Sequence, residues 1–477
     1  MSAAKPHDLV VIGGGVGGLV TASVAGQLGL DVVMVEREPN LGGDCLHYGC
    51  VPSKTLIRSA EIAHLARRAG DFGVNATLGL VDLGAVRKRV HEVIATIQKH
   101  DDPDRFRGYG IDVVFGEARF LDPHSIQVGD RVIAGRRFVI ATGSRPAIPP
   151  VDGLAGSGYW TNETIFDQTE LPEHLAVLGA GPIGLELAQA FHRLGSRVTV
   201  LEAAPRILAR EDPEITDELA RMLRGEGLDL RVDTRATRVE GDCQSGYRIQ
   251  LDGSPGEDML EADALLVTTG RRANIESLDL PAAGVELENG LIRVDRRMRT
   301  AERHIFACGD CTGPYPFTHA AEYQAGVVIA NTVFRLPKKV DYRVMPWVTY
   351  TAPELAHVGL TEAQAREQGV RVKVARFRFS DVDRALAEGS TGGLMKLLIR
   401  RGRIAGATIL GPHAGELLHE VVLAMKANIR VSHLAGAVHA YPTLAQIHRR
   451  VVNSTYADTL YSPRTRGLVR WINRILP

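Results

Sequence analysis

The same local pattern occurs twice in this chain of 477 residues. The apolar run His7-Asp-Leu-Val-Val-Ile12 leads into a glycine loop with Gly13, Gly15 and Gly18, and an Ala/Leu/Val-rich helix predicted to reach Leu28 follows. A second apolar strand, Asp31-Val-Val-Met-Val-Glu36, then ends in an acid. The pattern returns with Leu175-Ala-Val-Leu178, with Gly179, Gly181 and Gly184, with a helix to about Leu194 and with Arg197-Val-Thr-Val-Leu-Glu202. Glu36 lies 18 residues after Gly18, and Glu202 lies 18 after Gly184. A lone Gly-x-Gly-x-x-Gly is a weak signal, and it becomes specific when strand, helix and distal carboxylate all accompany it. In such a unit the glycines let the backbone turn tightly against a pyrophosphate, which rests on the helix N-terminus, and the acid accepts hydrogen bonds from a ribose. Two units predict two bound dinucleotides and an α/β fold with two Rossmann-like domains.

Size and composition leave room for more. A chain of this length should hold about three domains. Lys+Arg and Asp+Glu both number 56, with a pI near 7.3, so no basic field points to nucleic acid. Cys45, Cys50, Cys243, Cys308 and Cys311 are too few and too uneven for a secreted disulfide framework. The first strand begins almost at once, leaving no space for a signal peptide, and no apolar run reaches about 18 residues. The expectation is a soluble, cytoplasmic protein.

The first unit continues through helices at about 52–69 and 82–100 and a strand at Ile111–Phe115, and closes with Phe138-Val-Ile-Ala-Thr-Gly-Ser-Arg-Pro146. Residues 153–173, rich in Gly, Thr and Pro, read as a linker. The second unit closes with Ala264-Leu-Leu-Val-Thr-Thr-Gly-Arg271, echoing the first closure, and Ile305-Phe-Ala-Cys-Gly-Asp310 is a further strand ending in a carboxylate. From about Val340 strands such as Leu394–Ile399 and Ile404–Leu410 precede helices from Ala414 and Val431, a different alternation that marks a third domain. The predicted boundaries are 1–152, 153–272, 273–340, a return to the first domain, and 341–477.

Chemistry concentrates in Leu41-Gly-Gly-Asp-Cys-Leu-His-Tyr-Gly-Cys-Val-Pro-Ser-Lys54. Pro52 belongs in the first turn of a helix, so Cys50 lies at a helix N-terminus, where the dipole favours thiolate. Cys50 is then the thiolate of the pair and Cys45 the thiol left to exchange with substrate. A structural disulfide is the alternative, though closing so short a loop stabilises by only about 2 kcal/mol. Cys308-Gly-Asp-Cys311 has CxxC spacing but no second compact pair beside it, so small buried thiols are expected there, no metal site is predicted, and Cys243 is equally ordinary.

In its ordered motifs, and over essentially its whole length, the chain resembles the two-dinucleotide flavoprotein disulfide reductases, also termed class I pyridine nucleotide-disulfide oxidoreductases, the family of dihydrolipoamide dehydrogenase, glutathione reductase and mercuric reductase. The resemblance implies FAD on the first unit, a nicotinamide nucleotide on the second, and a C-terminal α+β domain that forms a homodimer and completes the partner's site. It assigns FAD contacts to Gly13, Gly15, Gly18, Glu36, Gly43, Lys54, Thr142, Gly143, Ser144, Asp310 and His319. It assigns NAD(P) contacts to Gly179, Gly181, Gly184, Glu186, Glu202 and Gly270. Asp310 would meet a ribityl hydroxyl, and the helix starting near Thr318 would point at the flavin ring. Lys54 and Glu186 match a family ion pair beside the flavin, although either could instead be solvated surface. A lysine there would favour negative charge on the ring, and if buried it needs a carboxylate. Glu202 favours NADH by repelling a 2′-phosphate, while Arg206 and Arg210 keep NADPH open.

The sequence departs from the disulfide-reducing members at His439-Ala-Tyr-Pro-Thr-Leu-Ala-Gln446. Tyr441 stands where they carry the acid/base histidine, and Gln446 where they carry its glutamate. A phenol with pKa near 10 is a poor proton shuttle at neutral pH, and glutamine cannot stabilise an imidazolium. Mercuric reductase also has a tyrosine there, but this chain lacks that enzyme's C-terminal vicinal cysteines and its N-terminal metal-binding domain. His439, His448 and His47 are alternative bases, and Asp44 and His47 replace the Thr and Asn usual around the dithiol. The reading is an NAD(P)H oxidoreductase passing electrons through FAD and Cys45–Cys50 to a disulfide or thiophilic metal, with a direct flavin-to-quinone or metal-ion reductase, a dihydrolipoamide dehydrogenase and a redox-sensing flavoprotein as alternatives. In the tail, Leu468, Trp471, Ile472 and Ile475 recur at helical spacing opposite Arg466, Arg470 and Arg474. That suits either an anionic membrane surface through 464–477 or packing on the dimer.

Overall fold

The computed structural model describes residues 5–253 and 258–476. They group into two compact units, Met1–Ala203 with Thr234–Asp341, and Ala204–Asp233 with Tyr342–Pro477.

In the first unit a five-stranded parallel sheet runs in the order Ile305–Ala307, Phe138–Ile140, Leu9–Ile12, Val32–Glu36, Ile111–Phe115. Its strands are near-continuous apolar runs because both faces are covered, and Leu9, Val10 and Val11 are wholly buried. The register sets Val11 opposite Met34 on one side and Val139 on the other. The helix Val16–Gln27 packs against the helix Thr318–Thr332. The second glycine loop sits on parallel strands Arg197–Leu201, His174–Leu178 and Ala264–Val267, followed by the helix Pro182–Leu194.

Two three-stranded antiparallel sheets were not foreseen, at 118–134 and 235–262. Their signal is a period of two. Tyr247, Ile249 and Leu251 are buried while Arg248, Gln250 and Asp252 face outward. Residues 153–173 are also more than a linker. Trp160 donates its N–H to Leu265 O and accepts one from Val267, extending the edge of the sheet, and Leu154, Ile165 and Phe166 are buried.

The second unit carries a five-stranded antiparallel sheet in the order Pro346–Thr349, Glu354–Gly359, Arg403–Gly411, Leu394–Arg400, Lys373–Arg378. The helices Ala414–Lys426 and Gln446–Ser454 contribute Leu418 and Val451 to its core, with Phe379, Leu397 and Ile409. Residues 204–233, which the sequence reading places in the second nucleotide unit, group here. Lys396, 2% exposed, bonds Asp212 at 2.7 Å, Glu214 at 3.0 Å and Glu362 at 2.7 Å. A buried ammonium needs such partners, and the carboxylates of 212 and 214 supply them.

Candidate active site

Both glycine loops have the geometry a pyrophosphate requires. Gly13 has φ +111°, and a Cβ there would lie 2.3 Å from Ala141 O. A Cβ on Gly18 would fall 1.8 Å from Gly13 O, and one on Gly184 would fall 2.1 Å from Gly179 O, so only glycine permits helix and loop to approach so closely. Gly15 and Gly181 are the N-caps, and neither helix has a side-chain cap or an acid in its first turn. Those N–H groups therefore remain available to an anion. The Gly14 N–H donates to Glu36 Oε2 at 2.5 Å and the Ala180 N–H to Glu202 Oε2 at 2.8 Å, so the two carboxylates hold equivalent places. Gly43 lies against Gly15, and a Cβ on it would come within 2.8 Å of the Gly15 Cα. These cradles fit two dinucleotides.

The dithiol spans two helices, Gly43–His47 and Cys50–Arg67. Cys50 opens the second, which has no side-chain cap and no acid in its first turn. Its Sγ lies 3.4 Å from Thr318 Oγ1, where the helix Thr318–Thr332 begins. The two thiols are free, Cys45 half-buried and Cys50 exposed. They titrate as a pair. The Cys45 thiol bonding to Cys50 lowers the latter to about 6, against the opposing effect of burial, and Thr318 and the Lys54 ammonium add to the lowering. The Cys45 thiol is pushed up by that same bond, by burial and by the charges of Cys50 and Asp44. One thiolate thus settles on Cys50, with Cys45 holding the proton.

Lys54 Nζ meets Glu186 Oε2 at 2.7 Å, and Glu186 is buried. The pair is therefore formed 132 residues apart in sequence. Ser144 Oγ donates to Asp310 Oδ2 at 2.6 Å and receives Arg271 Nε at 2.7 Å, while burial pushes the Asp310 carboxyl up against that hydrogen bond and the Arg271 charge. Thr142 O accepts from Asn274 Nδ2 and Gly143 O from the Asn274 N–H, both at 3.0 Å. Gly270 O accepts from the Ala147 N–H at 2.9 Å. His319 is exposed in the first turn of its helix, stacked on Phe317 with centroids 5.4 Å apart.

Sequence reasoning singled out Asp44 without its partners. Asp44 Oδ1 lies 3.1 Å from Arg271 Nη2 and accepts from Asn162 Nδ2 at 3.3 Å, and the same Asn162 amide donates to Tyr48 O at 3.1 Å. Asn162 and Arg271 had no local signal tying them to the dithiol. Cys308 and Cys311 are buried, and burial pushes both thiols up, Cys311 to about 12, as inert thiols should be.

In the second unit Tyr441 is 70% exposed and Gln446 opens the helix Gln446–Ser454. The alternative bases are engaged elsewhere. His439 and His448 both lie on Glu420, and His47 Nε2 donates to Leu41 O at 3.0 Å.

Residues 7–325 match the family described as pyridine nucleotide-disulphide oxidoreductase, and residues 345–451 match its dimerisation domain. The chain belongs to the pyridine nucleotide-disulphide oxidoreductases. Members of this family use FAD and NAD(P)H, and the dimerisation domain supports a homodimer. The chain is 36% identical to a mercuric reductase of Lysinibacillus sphaericus over 92% of its length and 81% of that protein. It is 38% identical to a dihydrolipoyl dehydrogenase of Thermus scotoductus over 93% of its length and 96% of that protein. The Cu(II) complex of the HOCl-induced flavoprotein disulfide reductase RclA from Escherichia coli superposes with a TM-score of 0.84 at 29% identity, covering 94% of this chain and 99% of that one. Mercuric and lipoamide enzymes are thus comparably distant, and likeness alone does not choose an acceptor.

Proposed function

We propose that this enzyme takes a hydride from NAD(P)H and delivers its electron pair to the Cys45–Cys50 disulfide and then to a thiophilic metal ion or a disulfide, in the manner of a mercuric reductase. Bound FAD supplies the two-electron relay between pyridine and sulfur. The protein's own residues divide the rest. Gly13, Gly15, Gly18, Glu36, Gly43, Thr142, Gly143, Ser144, Asp310 and His319 hold the flavin nucleotide. Gly179, Gly181, Gly184, Glu186, Glu202 and Gly270 hold the nicotinamide nucleotide. Lys54, fixed by Glu186, stabilises negative charge near the thiolate of Cys50, and Cys45 exchanges with the acceptor. Reduction of the disulfide takes two electrons and one proton, leaving Cys45–SH and Cys50–S⁻; a metal ion M(II) reduced to M(0) returns the disulfide and releases that proton.

The observation that favours a metal ion is Tyr441, exposed and without an imidazole to do its work, since His439 and His448 are both held by Glu420. Lipoamide or glutathione disulfide needs a proton delivered to the leaving sulfur, whereas a metal ion does not. Glu202 favours NADH over NADPH. The proposed location is the cytoplasm, with the tail helix either packed on the dimer or lying on an anionic membrane surface.

The test is an acceptor panel of Hg(II), Cu(II), lipoamide, glutathione disulfide and a quinone, run with NADH and NADPH on the wild type and on Cys45→Ser. Metal reduction at least about 100-fold faster than lipoamide reduction, and lost in Cys45→Ser, is expected. Quinone reduction alone, surviving in Cys45→Ser, would refute the dithiol route and favour direct transfer from the flavin.

A further inference from the structure

Three side chains converge in the second unit. Glu420 stands on the helix Ala414–Lys426, His439 in the segment before Tyr441, and His448 on the helix Gln446–Ser454. His439 Nε2 lies 3.1 Å and 3.3 Å from the two oxygens of Glu420, and His448 Nδ1 lies 3.2 Å from Oε2. One ligand atom from each falls within 4.8 Å of the others, and among the described residues no other group of three His, Cys, Asp or Glu does so. The rings of His439 and His448 are 8% and 1% exposed, while Glu420 opens to solvent with a third of its side chain.

The contacts around Glu420 also suit a cation. His439 Nδ1 faces Ala437 O at 3.3 Å, the kind of second contact that orients a metal-binding imidazole. Nε2 is turned on the Glu420 carboxylate, and the 3.1–3.3 Å between nitrogen and oxygens is also the spacing of two ligand atoms on one cation. One imidazolium would answer the charge of Glu420. The second ring is superfluous to that role.

We propose that Glu420, His439 and His448 bind one divalent transition cation per subunit, of the Zn(II), Ni(II) or Cu(II) class, with water completing the shell. Two imidazole nitrogens and one carboxylate oxygen suit these borderline ions and not Mg(II) or Ca(II), and three protein ligands leave an open position. The site has no sulfur, so its preference differs from that of the dithiol. The cation takes the place of the proton now shared between His448 Nδ1 and its two oxygen neighbours, Glu420 Oε2 and Ala445 O.

The probe is Zn(II) titrated calorimetrically into tag-free FAD holoenzyme whose Cys45 and Cys50 are oxidised to the disulfide, so that no thiolate pair competes. Cu(II) added to the same protein is read by electron paramagnetic resonance. One equivalent per subunit is expected, with hyperfine coupling to imidazole nitrogen. Glu420→Gln, His439→Gln and His448→Gln should each weaken binding about tenfold or more while leaving the FAD content unchanged. Glu420→Gln, isosteric and partly exposed, carries the test if His448→Gln does not fold. No binding, or binding equal in the wild type and Glu420→Gln, overturns the site. So does binding abolished by Cys45→Ser/Cys50→Ser and not by Glu420→Gln. None of these outcomes depends on which acceptor the enzyme reduces.

Discussion

Two cysteines with the same intrinsic chemistry are made unequal by position. Cys50 begins a helix whose N-terminal amides are uncapped, stands 3.4 Å from Thr318 Oγ1 and feels the Lys54 ammonium, whereas Cys45 follows Asp44. Since the Cys50 pKa is lowered, to about 6, its thiolate exists above that pH and is lost below it. In two-electron-reduced holoenzyme the thiolate-to-flavin charge-transfer absorption should therefore persist through neutral pH and fade with a midpoint near 6. Lys54→Met removes a cation that favours the thiolate, so the midpoint should rise by about one pH unit. An unmoved midpoint would show that Lys54 does not act on Cys50. The departure at Tyr441 makes a second prediction. A general acid is worth about 100-fold or more. Tyr441→His/Gln446→Glu should raise lipoamide kcat by that order in a steady-state assay, and an unchanged kcat would show that proton transfer is not limiting. The dithiol, the loops and Tyr441 were readable because each is a local string. Arg271 on Asp44, and Glu420 between His439 and His448, were not, because those partners come together only through the topology.

Elements followed their local signals where one pattern dominated. The helix predicted from Pro52 begins two residues earlier, at Cys50, which puts the thiol in its first turn. The predicted strand Leu394–Ile399 extends one residue, to Arg400. The three-stranded sheets were missed because their strands are short and half polar, alternating in a way that turns and loops can mimic. The tail periodicity became a real helix, Pro463–Ile475, begun by Ser462, whose side chain accepts from the Thr465 N–H. None of its residues is buried, Trp471 is 61% exposed, and Arg464, Arg466, Arg470 and Arg474 have no acid among them. Pro477 lies outside the described residues. Basic residues near an anionic surface contribute about 1 kcal/mol each and the apolar face adds burial, so the helix is expected to hold the protein on vesicles containing phosphatidylserine and not on phosphatidylcholine alone. Flotation of the full chain and of a variant lacking 464–477 measures this. Equal flotation, or none with the full chain, would assign the helix to protein contacts instead.

For the molecule as a whole, the question is where one active site ends. The dimerisation-domain match at residues 345–451 includes Tyr441, and apolar side chains of the same domain stand open on the single chain, Val438 at 95% and Leu423 at 65% exposed. In a two-fold dimer any residue that crosses the interface does so twice, once into each site. If Tyr441 serves the dithiol of the other subunit, Cys45→Ser and Tyr441→Phe reside in different subunits of the same site. Each homodimer then carries two damaged sites, whereas a mixed dimer has one site with both defects and one with none. Random exchange makes half the dimers mixed, so metal-ion reduction should recover to about one quarter of the wild-type rate, far above either parent. Subunits would be exchanged in mild denaturant, returned to buffer and assayed against unmixed controls treated alike. A mixture no more active than the average of its parents would mean that Tyr441 and Cys45 act within one chain, or that Tyr441 takes no part, and the proposed sharing of the site between subunits would be withdrawn.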